Sequence, residues 1–368
     1  MIVIADLHGG KTNDSIIVDG VPSQTSDLRK RLSGITARAK MLNTCIAVAG
    51  DVFNRVNPTT QSMSMFFEWL RDCYAHHVPV YIIAGNHDAG VDWSSMTMMY
   101  NASLPNVTVV TQPDVVMVSD GGGTFPVLFF PHVPTTVQER AEQGHGSVSR
   151  WVASQFPDAE MVITHGMIDS SDYSNDIFFE AGNAMRIEPE EFKNLKLMVL
   201  GHIHGHLKGK NWVYPGSLTI NNFGEVDELK GWVEVNLSTH EYVWHEFPDD
   251  VTPWVHIELD LTDKDETSLE EDTLRSIVDG AIVKVTVFAK AHGIINESYI
   301  RQLIMQCGGH VSRFETKVTQ AVTGKSTEAS KVSHEQLLVE YLDSGDVDRK
   351  DKKRAIALAR DIIAEVLG

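Results

Sequence analysis

The first part of the chain alternates short apolar runs with longer amphipathic segments. Residues 2–5, 45–49 and 79–84 are predicted to be buried strands, because each is an apolar run that ends at Gly or a short polar residue. Residues 27–42 and 59–76 have apolar positions at helical spacing and are predicted to be the helices between those strands. This alternation predicts an α/β layered fold with its functional loops at the carboxyl ends of the strands.

Local signals place the ends of these elements. Ser26 is predicted to cap the first helix, since its hydroxyl can accept a hydrogen bond from a free backbone N–H group. The polar segment 11–25 holds a short apolar patch at 16–18, and we expect a hairpin or a mobile insertion there. The inner face of the second helix is predicted to comprise Met63, Phe66, Phe67 and Leu70.

Further apolar runs predict the remaining strands of this domain, which we expect to close near residue 245. They lie at residues 107–110, 115–118, 127–130, 161–163, 197–200, 212–214 and 231–235. Gly121, Gly122 and Gly123 are predicted to form a hairpin turn, because no phosphate-binding glycine motif surrounds them.

The pattern changes from about residue 251. Strands at 254–261 and 282–288, with helices at 269–278 and 298–306, predict a small α+β domain. A stretch rich in Ser, Thr, Gly and Lys follows and predicts a linker. The predicted organisation is an α/β domain over 1–245, a small α+β domain over 251–320, a linker over 321–333 and a helical tail over 334–368.

Composition narrows the class of protein. Of 368 residues, 42% are hydrophobic and 22% charged, which is typical of a globular protein, and no apolar run reaches the roughly 18 residues of a membrane span. We expect no signal peptide, because residues 2–5 already form a strand without a basic segment. The cysteines, Cys45, Cys73 and Cys307, are too far apart to indicate a disulfide framework, so a cytoplasmic location is expected. The net charge of −19 argues against binding nucleic acid without a partner.

Polar residues follow the predicted strands where each strand ends. Because the carboxyl ends of parallel strands meet at one edge of a sheet, we expect these side chains to lie close together. In the segment Gly-Asn-His-Asp, Asn86 offers a neutral carbonyl oxygen, His87 an imidazole, and Asp88 a carboxylate able to orient that imidazole. The candidate metal ligands are Asp6, His8, Asp51, Asn86, His165, His202 and His204.

Mixed imidazole and carboxylate ligands favour manganese, zinc or iron over calcium. A carboxylate such as Asp51 is able to bridge two ions about 3.5–4 Å apart, and each Asp-x-His or His-x-His pair contacts one ion or straddles two. Single motifs of this kind also occur as Asx turns or surface histidines, but their joint occurrence predicts a dinuclear site. His145, His206 and His240 lack this context and are expected to be solvated.

The motifs Asp6-Leu-His8, Gly50-Asp51-Val-Phe53, Gly85-Asn-His-Asp88, Thr164-His165-Gly166 and Gly201-His-Ile-His204 resemble those of calcineurin-like metallophosphoesterases. Within that group the chain resembles the SbcD-type nucleases of double-strand-break repair, and its length resembles the recombination endonuclease subunits of T-even-like bacteriophages. Three features carry this narrower resemblance. The first is Ala49 to Phe53 followed by Asn57-Pro58, and the second is Tyr214 to Leu218 followed by Phe223-Gly224-Glu225 and Lys230-Gly231. The third is the small domain with its helical tail.

The resemblance implies a four-layer β-sandwich flanked by helices, a capping domain and a tail that docks on an ATPase. It places Asp6, His8, Asp51 and His204 around one metal, and Asp51, Asn86, His165 and His202 around the other. It makes His87 the catalytic histidine, held by Asp88. The implied cofactors are two divalent ions, with Mn²⁺ as the first choice and Mg²⁺ as the alternative.

The implied function is a DNA nuclease, a 3′–5′ exonuclease and single-strand endonuclease of recombination and repair. Its implied partners are DNA, a second copy of the chain and an SbcC-type coiled-coil ATPase, in the cytoplasm (that of the host, if the chain is phage-encoded), with no membrane involved. The alternative is a phosphoesterase that acts on a small phosphodiester or a phosphoprotein. The chain departs from the SbcD pattern at Asn54 and Arg55 and in the insertion 11–25. Four basic residues near the motif loops could either contact phosphates or be solvated surface residues: Lys11, Arg55, Lys208 and Lys210.

Overall fold

The computed structural model describes residues 1–12, 16–18, 20–89, 104–168, 184–263, 269–290 and 295–319. Residues Met1–Thr319 form one compact unit. The predicted linker, 321–333, and the predicted helical tail, 334–368, lie outside the described residues. No helix among those described is both long and apolar enough to cross a membrane.

The described elements follow the predicted order, with additions. The helices are α1 Ser23–Leu42, α2 Thr60–Ala75, α3 Thr135–His145, α4 Val148–Gln155, α5 Glu271–Val278 and α6 Glu297–Gln306. The strands of the first part are β1 Ile2–Ile4, β2 Ile17–Val18, β3 Val21–Pro22, β4 Ile46–Ala49, β5 Val80–Ile83, β6 Val107–Val110, β7 Asp114–Asp120, β8 Gly123–Phe130, β9 Met161–His165 and β10 Met167–Ile168. They are followed by β11 Arg186–Ile187, β12 Leu197–Gly201, β13 Leu207–Lys208, β14 Trp212–Tyr214, β15 Gly231–Val235, β16 Tyr242–Glu246, β17 Trp254–Asp260, β18 Ile282–Lys290 and β19 His310–Thr319.

Two six-stranded sheets form the centre of the fold. The first has the order β16-β15-β1-β4-β5-β6, in which β1, β4, β5 and β6 are parallel. The second has the order β13-β14-β12-β9-β8-β7, in which β14, β12, β9 and β8 are parallel. Antiparallel strands extend the first sheet on one side, through β15 and β16, and the second sheet on both sides, through β13 and β7.

Alternate residues of each strand serve different cores, because side chains point to opposite faces of a sheet. Val3 and Ala47 of the first sheet pack with Ile163 and Val199 of the second in the core between them. The opposite face of the first sheet is covered by α1 and α2, and that of the second by α3 and α4. The fold is therefore a four-layer α/β sandwich, and the predicted fold class is confirmed.

Two local predictions about the helices need correction. Helix α1 begins at Ser23 directly after Pro22, without a side-chain cap, so Ser26 lies inside the helix and the predicted cap is wrong. Proline is favourable at a helix start because its φ is already helical and its missing N–H is not needed there. Helix α2 is capped by Thr59, and its inner face is rotated from the prediction: Met65 and Trp69 are buried with Phe66 and Leu70, whereas Met63 and Phe67 are half-buried.

Hairpins occur where turns were predicted. Strands β2 and β3 pair antiparallel, so the described part of segment 11–25 contains the expected hairpin. Gly121 and Gly122 connect β7 to β8 with φ angles of 56° and 90°, a backbone region that favours glycine. Helices α3 and α4 were not predicted; α3 buries only Ala141, which leaves little apolar periodicity to detect.

Residues Trp254–Thr319, called the subdomain below, form a β-α-β-α-β arrangement. Strands β17, β18 and β19 are all parallel, and α5 and α6 lie between them in sequence. Val283, Val285 and Val287 of β18 pack with Ile300 of α6 in a separate core. The predicted mixture of helix and strand is present, and the strict alternation with parallel strands refines it. Strand β19 was not predicted, because most of its side chains are polar and exposed.

Candidate metal centre

The predicted ligands lie at the carboxyl ends of β1, β4, β5, β9 and β12: His165 is the last residue of β9, and the other ligands lie in the loops that follow the strands. These strands are neighbours in two sheets that face each other, so their carboxyl ends meet at one edge of the sandwich. The loops bring together all of the predicted ligands, which are Asp6, His8, Asp51, Asn86, His165, His202 and His204. The convergence that parallel strand ends predict is therefore present.

One group of donor atoms forms around His8 and His204. Their Nε2 atoms are 2.9 Å apart, and the Asp6 carboxylate lies in the same group. The Asp51 Oδ2 atom is 3.6 Å from His8 Nε2. Two imidazole nitrogens and carboxylate oxygens at this spacing are a donor set that suits a divalent transition metal.

A second group of donor atoms forms around the amide oxygen of Asn86. Asn86 Oδ1 is 2.9 Å from His165 Nε2 and 3.1 Å from His202 Nδ1. The Nδ1 atom of His165 lies 2.9 Å from the Ala49 carbonyl oxygen, to which it donates, so Nε2 carries the lone pair. A lone pair and a carbonyl oxygen that face each other at hydrogen-bond distance suit a cation between them.

Asp51 connects the two groups. Its Oδ2 atom faces His8, whereas its Oδ1 atom lies 3.5 Å from His165 Nε2 and accepts a hydrogen bond of 2.9 Å from the His87 backbone N–H. One carboxylate therefore presents one oxygen to each group, which is the arrangement that a bridging ligand of two ions requires. The residues present thus fit a pair of divalent ions.

Burial controls the charges of the site. Loss of water raises the pKa of Asp6 and of Asp51, although neighbouring histidines oppose the rise. Burial also lowers the pKa of His165 and of His202 to about 3, so both rings are neutral at physiological pH. A neutral imidazole is the form that binds metal, and a cation would offset the buried carboxylates.

The backbone of the site is strained. Asp6, His8, Asp51 and His202 have φ angles of 53°, 45°, 51° and 105°. Side-chain-bearing residues rarely adopt this region, and each such residue costs of order 1–3 kcal/mol. Strain of this kind persists only where the surrounding structure enforces it, and here it turns ligand side chains toward one another.

Two motif glycines allow the loops to approach so closely. A Cβ atom on Gly85 would lie 2.1 Å from Asp51 Oδ1, and one on Gly201 would lie 2.1 Å from the Ala49 carbonyl oxygen. Any larger residue would push Asp51 or the strand end away. The glycines of these motifs are therefore part of the site geometry.

His87 lies at the rim of the site and is exposed. Its ring centroid is 4.9 Å from that of His8, and its Nδ1 atom is 3.0 Å from the Asn54 carbonyl oxygen. The prediction that Asp88 holds His87 is wrong. The Asp88 carboxylate is fully buried and accepts backbone N–H groups of Val52, Phe53 and Gly85 at 2.9–3.0 Å, which ties the second motif loop to the third.

Burial and the charge of Asp51 raise the pKa of Asp88 to about 7, against the three backbone donors that favour its ionised form. Asp88 thus shapes the loop that carries Asn86 and His87. Its part in the site is structural, and His87 is oriented by a main-chain oxygen.

Glu225 and Lys230 belong to the site although sequence reasoning gave them no role. Glu225 Oε1 lies 2.7 Å from His204 Nδ1, and its Oε2 accepts a bond of 2.8 Å from Lys230 Nζ. Burial alone would lower the pKa of His204, but the hydrogen bond and charge of Glu225 raise it. The resemblance to the segment Phe223-Gly224-Glu225 was the available signal, but it indicated a fold position and no chemistry.

His132 is a second residue that the motifs do not reveal. It follows β8, and its backbone N–H donates to the Ala84 carbonyl oxygen at 3.0 Å, beside the third motif loop. Its Nδ1 atom is buried and has no hydrogen-bond partner among the described residues. Burial lowers the pKa of His132, against the charge of Asp51, so a neutral imidazole borders the second donor group.

Other polar residues are placed as follows. The prediction that His206 is solvated is wrong. Its ring stacks on Trp244, with the ring centroids 4.3 Å apart, and its Nδ1 atom lies 2.8 Å from the Tyr214 carbonyl oxygen. His145 is exposed, as predicted, whereas His240 is partly buried near Glu160. Arg55, Lys208 and Lys210 are exposed and Lys11 is half-buried.

The comparison with protein families agrees with this geometry. The family model of calcineurin-like phosphoesterases matches residues 1–206, more than half of the 368 residues, and the match includes all of the predicted ligands. A search of curated proteins found no significant match. The chain belongs to the calcineurin-like phosphoesterase family, and this membership makes it a metal-dependent phosphoesterase.

Proposed function

We propose that the chain is a manganese-dependent DNA nuclease, with 3′–5′ exonuclease and single-strand endonuclease activity in DNA end processing, recombination and repair. The observation that carries the hydrolytic part is Asp51, whose two oxygens face two separate donor groups. Two ions that share one bridging carboxylate are suited to phosphodiester hydrolysis. The DNA part rests on the resemblance to SbcD-type nucleases and on a subdomain that follows the catalytic sandwich.

Two divalent ions bound to these residues would polarise a phosphate and lower the pKa of a water molecule. Asp6, His8, Asp51 and His204 would hold one ion, and Asp51, Asn86, His165 and His202 the other. The chain itself keeps several of these ligands away from solvent, because Asp6, Asp51 and His165 are at most 2% exposed.

His87 is the residue placed for proton transfer. Its Nδ1 atom faces the Asn54 carbonyl oxygen, so a neutral ring carries its hydrogen there and keeps Nε2 available. An exposed ring beside the donor groups is able to give a proton to a leaving oxygen when protonated, or to stabilise its charge. General acid catalysis of this kind contributes typically ~10²–10⁴-fold.

Charge bears on how DNA would be held. The net charge is −19, and in the part of the chain that the structure describes the exposed cations close in sequence to the motif loops are Arg55, Lys208 and Lys210. We therefore propose that an SbcC-type ATPase supplies the basic surface, with the chain acting as a homodimer in the cytoplasm. The predicted tail, 334–368, is the proposed docking segment for the ATPase.

The test is a direct comparison of substrates. Full-length protein is incubated with Mn²⁺ or Mg²⁺ and given a DNA duplex, a single strand or bis(p-nitrophenyl) phosphate, with and without the ATPase. We expect Mn²⁺-dependent cleavage of DNA that the ATPase increases. Cleavage of the small ester alone, under all of these conditions, would contradict the nuclease proposal but would still support a hydrolytic metal centre.

A second candidate is a phosphoesterase that acts on a small phosphodiester or a phosphoprotein. The strongly acidic composition favours it, because a small substrate needs no extended cationic groove. The same assay separates the two.

Deletion of residues 334–368 tests the proposed partner. Loss of co-purification with the ATPase is expected, and retention of co-purification would refute docking through the tail.

A further inference from the structure

A short turn lies between the metal centre and the subdomain. Residues Phe223–Glu225 form one 3-10 turn, which begins where the Asn222 side chain accepts a hydrogen bond of 2.7 Å from the Gly224 N–H. At one end of the turn Glu225 contacts a predicted metal ligand, and at the other end Phe223 contacts the subdomain. The turn thus joins two parts of the molecule that are far apart in sequence.

The contact at the Glu225 end fixes the state of His204. The buried carboxylate lies 2.7 Å from His204 Nδ1 and accepts further bonds from the Asn222 side chain at 2.7 Å and the Asn221 backbone at 3.0 Å. An ionised carboxylate only accepts hydrogen bonds, so the His204 proton must lie on Nδ1. Nε2 then carries the lone pair and points toward His8 Nε2, 2.9 Å away.

Lys230 holds Glu225 in its ionised form. Its buried ammonium group lies 2.8 Å from Glu225 and 2.9 Å from Glu228, and it donates to the His204 carbonyl oxygen at 3.2 Å. Lys230 therefore binds both the Glu225 carboxylate and the main chain of His204, the ligand that this carboxylate orients. His204 is fixed at its ring and at its backbone by one local network.

The contact at the Phe223 end belongs to the subdomain. The Phe223 ring lies 4.8 Å from the ring of Trp254, the first residue of β17. The Arg313 guanidinium of β19 lies 5.6 Å above the same ring. Aromatic and cation–π contacts of this kind have preferred geometries, so a shift of the subdomain acts on the turn.

We propose that Glu225 is a positioning residue for the metal ligand His204, and that the turn 222–225 makes metal binding sensitive to the packing of Trp254 against Phe223. The inference rests on the metal centre of the proposed function and is independent of DNA as the substrate. It assigns the subdomain a structural role in completing one donor group of the catalytic sandwich.

The first test measures metal binding by calorimetric titration with Mn²⁺ and by the absorption spectrum of the Co²⁺-loaded full-length protein. Glu225→Ala is expected to weaken binding by ~10–100-fold and to change the Co²⁺ spectrum. Glu225→Gln keeps an acceptor oxygen in reach of His204 and is expected to recover part of that loss. Wild-type affinity and spectrum in Glu225→Ala would overturn the positioning role.

The second test concerns the subdomain. Trp254→Leu is expected to weaken Mn²⁺ binding by ~2–30-fold, the usual range of coupling through packed side chains. Phe288→Leu is the matched control, because it shortens a half-buried aromatic residue near the other end of the same sheet. Equal effects of the two substitutions would overturn the coupling, since they would reflect general loosening of the subdomain.

A double substitution completes the design. If the turn transmits the effect, the losses of Glu225→Ala and Trp254→Leu should combine to less than their product, whereas independent effects multiply and would refute the inference. Phe223→Leu provides the same test should Trp254→Leu not fold. Failure of the wild-type protein to bind metal would instead refute the proposed function, so the two failures are distinguishable.

Discussion

The metal-binding edge of the sandwich and the subdomain are built from similar strands but differ in what they bury. At the edge, Asp6, His8 and Asp51 combine buried polar side chains with positive φ angles. In the described part of the subdomain, positive φ angles belong to Gly280 and Gly308, and the core is formed mainly by valine, leucine and isoleucine, with Ala281 and Cys307. Of the seven non-glycine residues with positive φ among those described, four belong to the metal centre, whereas none lies in the subdomain.

The difference shows how the fold supports chemistry. Strained ligands are held by the apolar cores on both faces of each sheet, which fix the strand ends from which the ligands project. Buried like charges and left-handed backbone are both costly, and they persist only where the surrounding structure enforces them. Asp6, His8 and Asp51 combine a buried polar side chain with left-handed backbone, whereas the left-handed residues Asn43, His77 and His240 are not buried.

The largest effect is expected from Asp51→Asn. The amide keeps an oxygen for the His87 N–H but loses the second anionic oxygen that joins the two donor groups. We expect hydrolysis to fall to background and the metal content, measured by elemental analysis, to fall well below two ions per chain. A metal content near two would show that Asp51 does not bridge.

The next effect is that of His87→Ala. The exposed ring contributes no core packing, and its Nδ1 bond to Asn54 is local. Turnover should fall by ~10²–10⁴-fold while the metal content and the melting temperature remain unchanged. Full activity of the variant on bis(p-nitrophenyl) phosphate would remove His87 from the mechanism.

Metal removal should affect the two regions differently. An ion present at about 100 times its Kd stabilises the folded state by about 2.7 kcal/mol, because it binds the native site alone. Chelation should therefore increase hydrogen exchange most in the loops around Asp6, Asp51 and Asn86. The strands β17 to β19 should change less, and uniform exchange across both regions would contradict the contrast.

The smallest effect compares two glycines. Gly85→Ala is expected to destabilise the protein by about 1–3 kcal/mol, because the new Cβ meets Asp51 at 2.1 Å. Gly280→Ala, in the subdomain, has nothing within 4 Å and carries only the conformational cost of its φ of +69°, about 1–2 kcal/mol. Urea denaturation measures both, and only Gly85→Ala should also reduce metal content.

The sequence allowed the strand ends of the site to be predicted because each apolar run stops abruptly at a motif. It did not reveal Glu225, which follows no strand and acts through a turn whose partners lie elsewhere in the chain. His132 does follow a strand, β8, but it belongs to no motif, and its place beside the third loop depends on its contact with Ala84, which follows a strand of the other sheet. Asp88 was assigned to its sequence neighbour His87, whereas burial directs its carboxylate to the backbone of the second loop.

The residue at position 54 illustrates which changes this architecture tolerates. The oxygen that orients His87 belongs to the Asn54 peptide group, and the Asn54 N–H donates to the Gly9 carbonyl oxygen at 3.2 Å. Both bonds are made by main-chain atoms, so they do not require a particular side chain at position 54. Proline alone is disfavoured, since it has no N–H to offer the first loop.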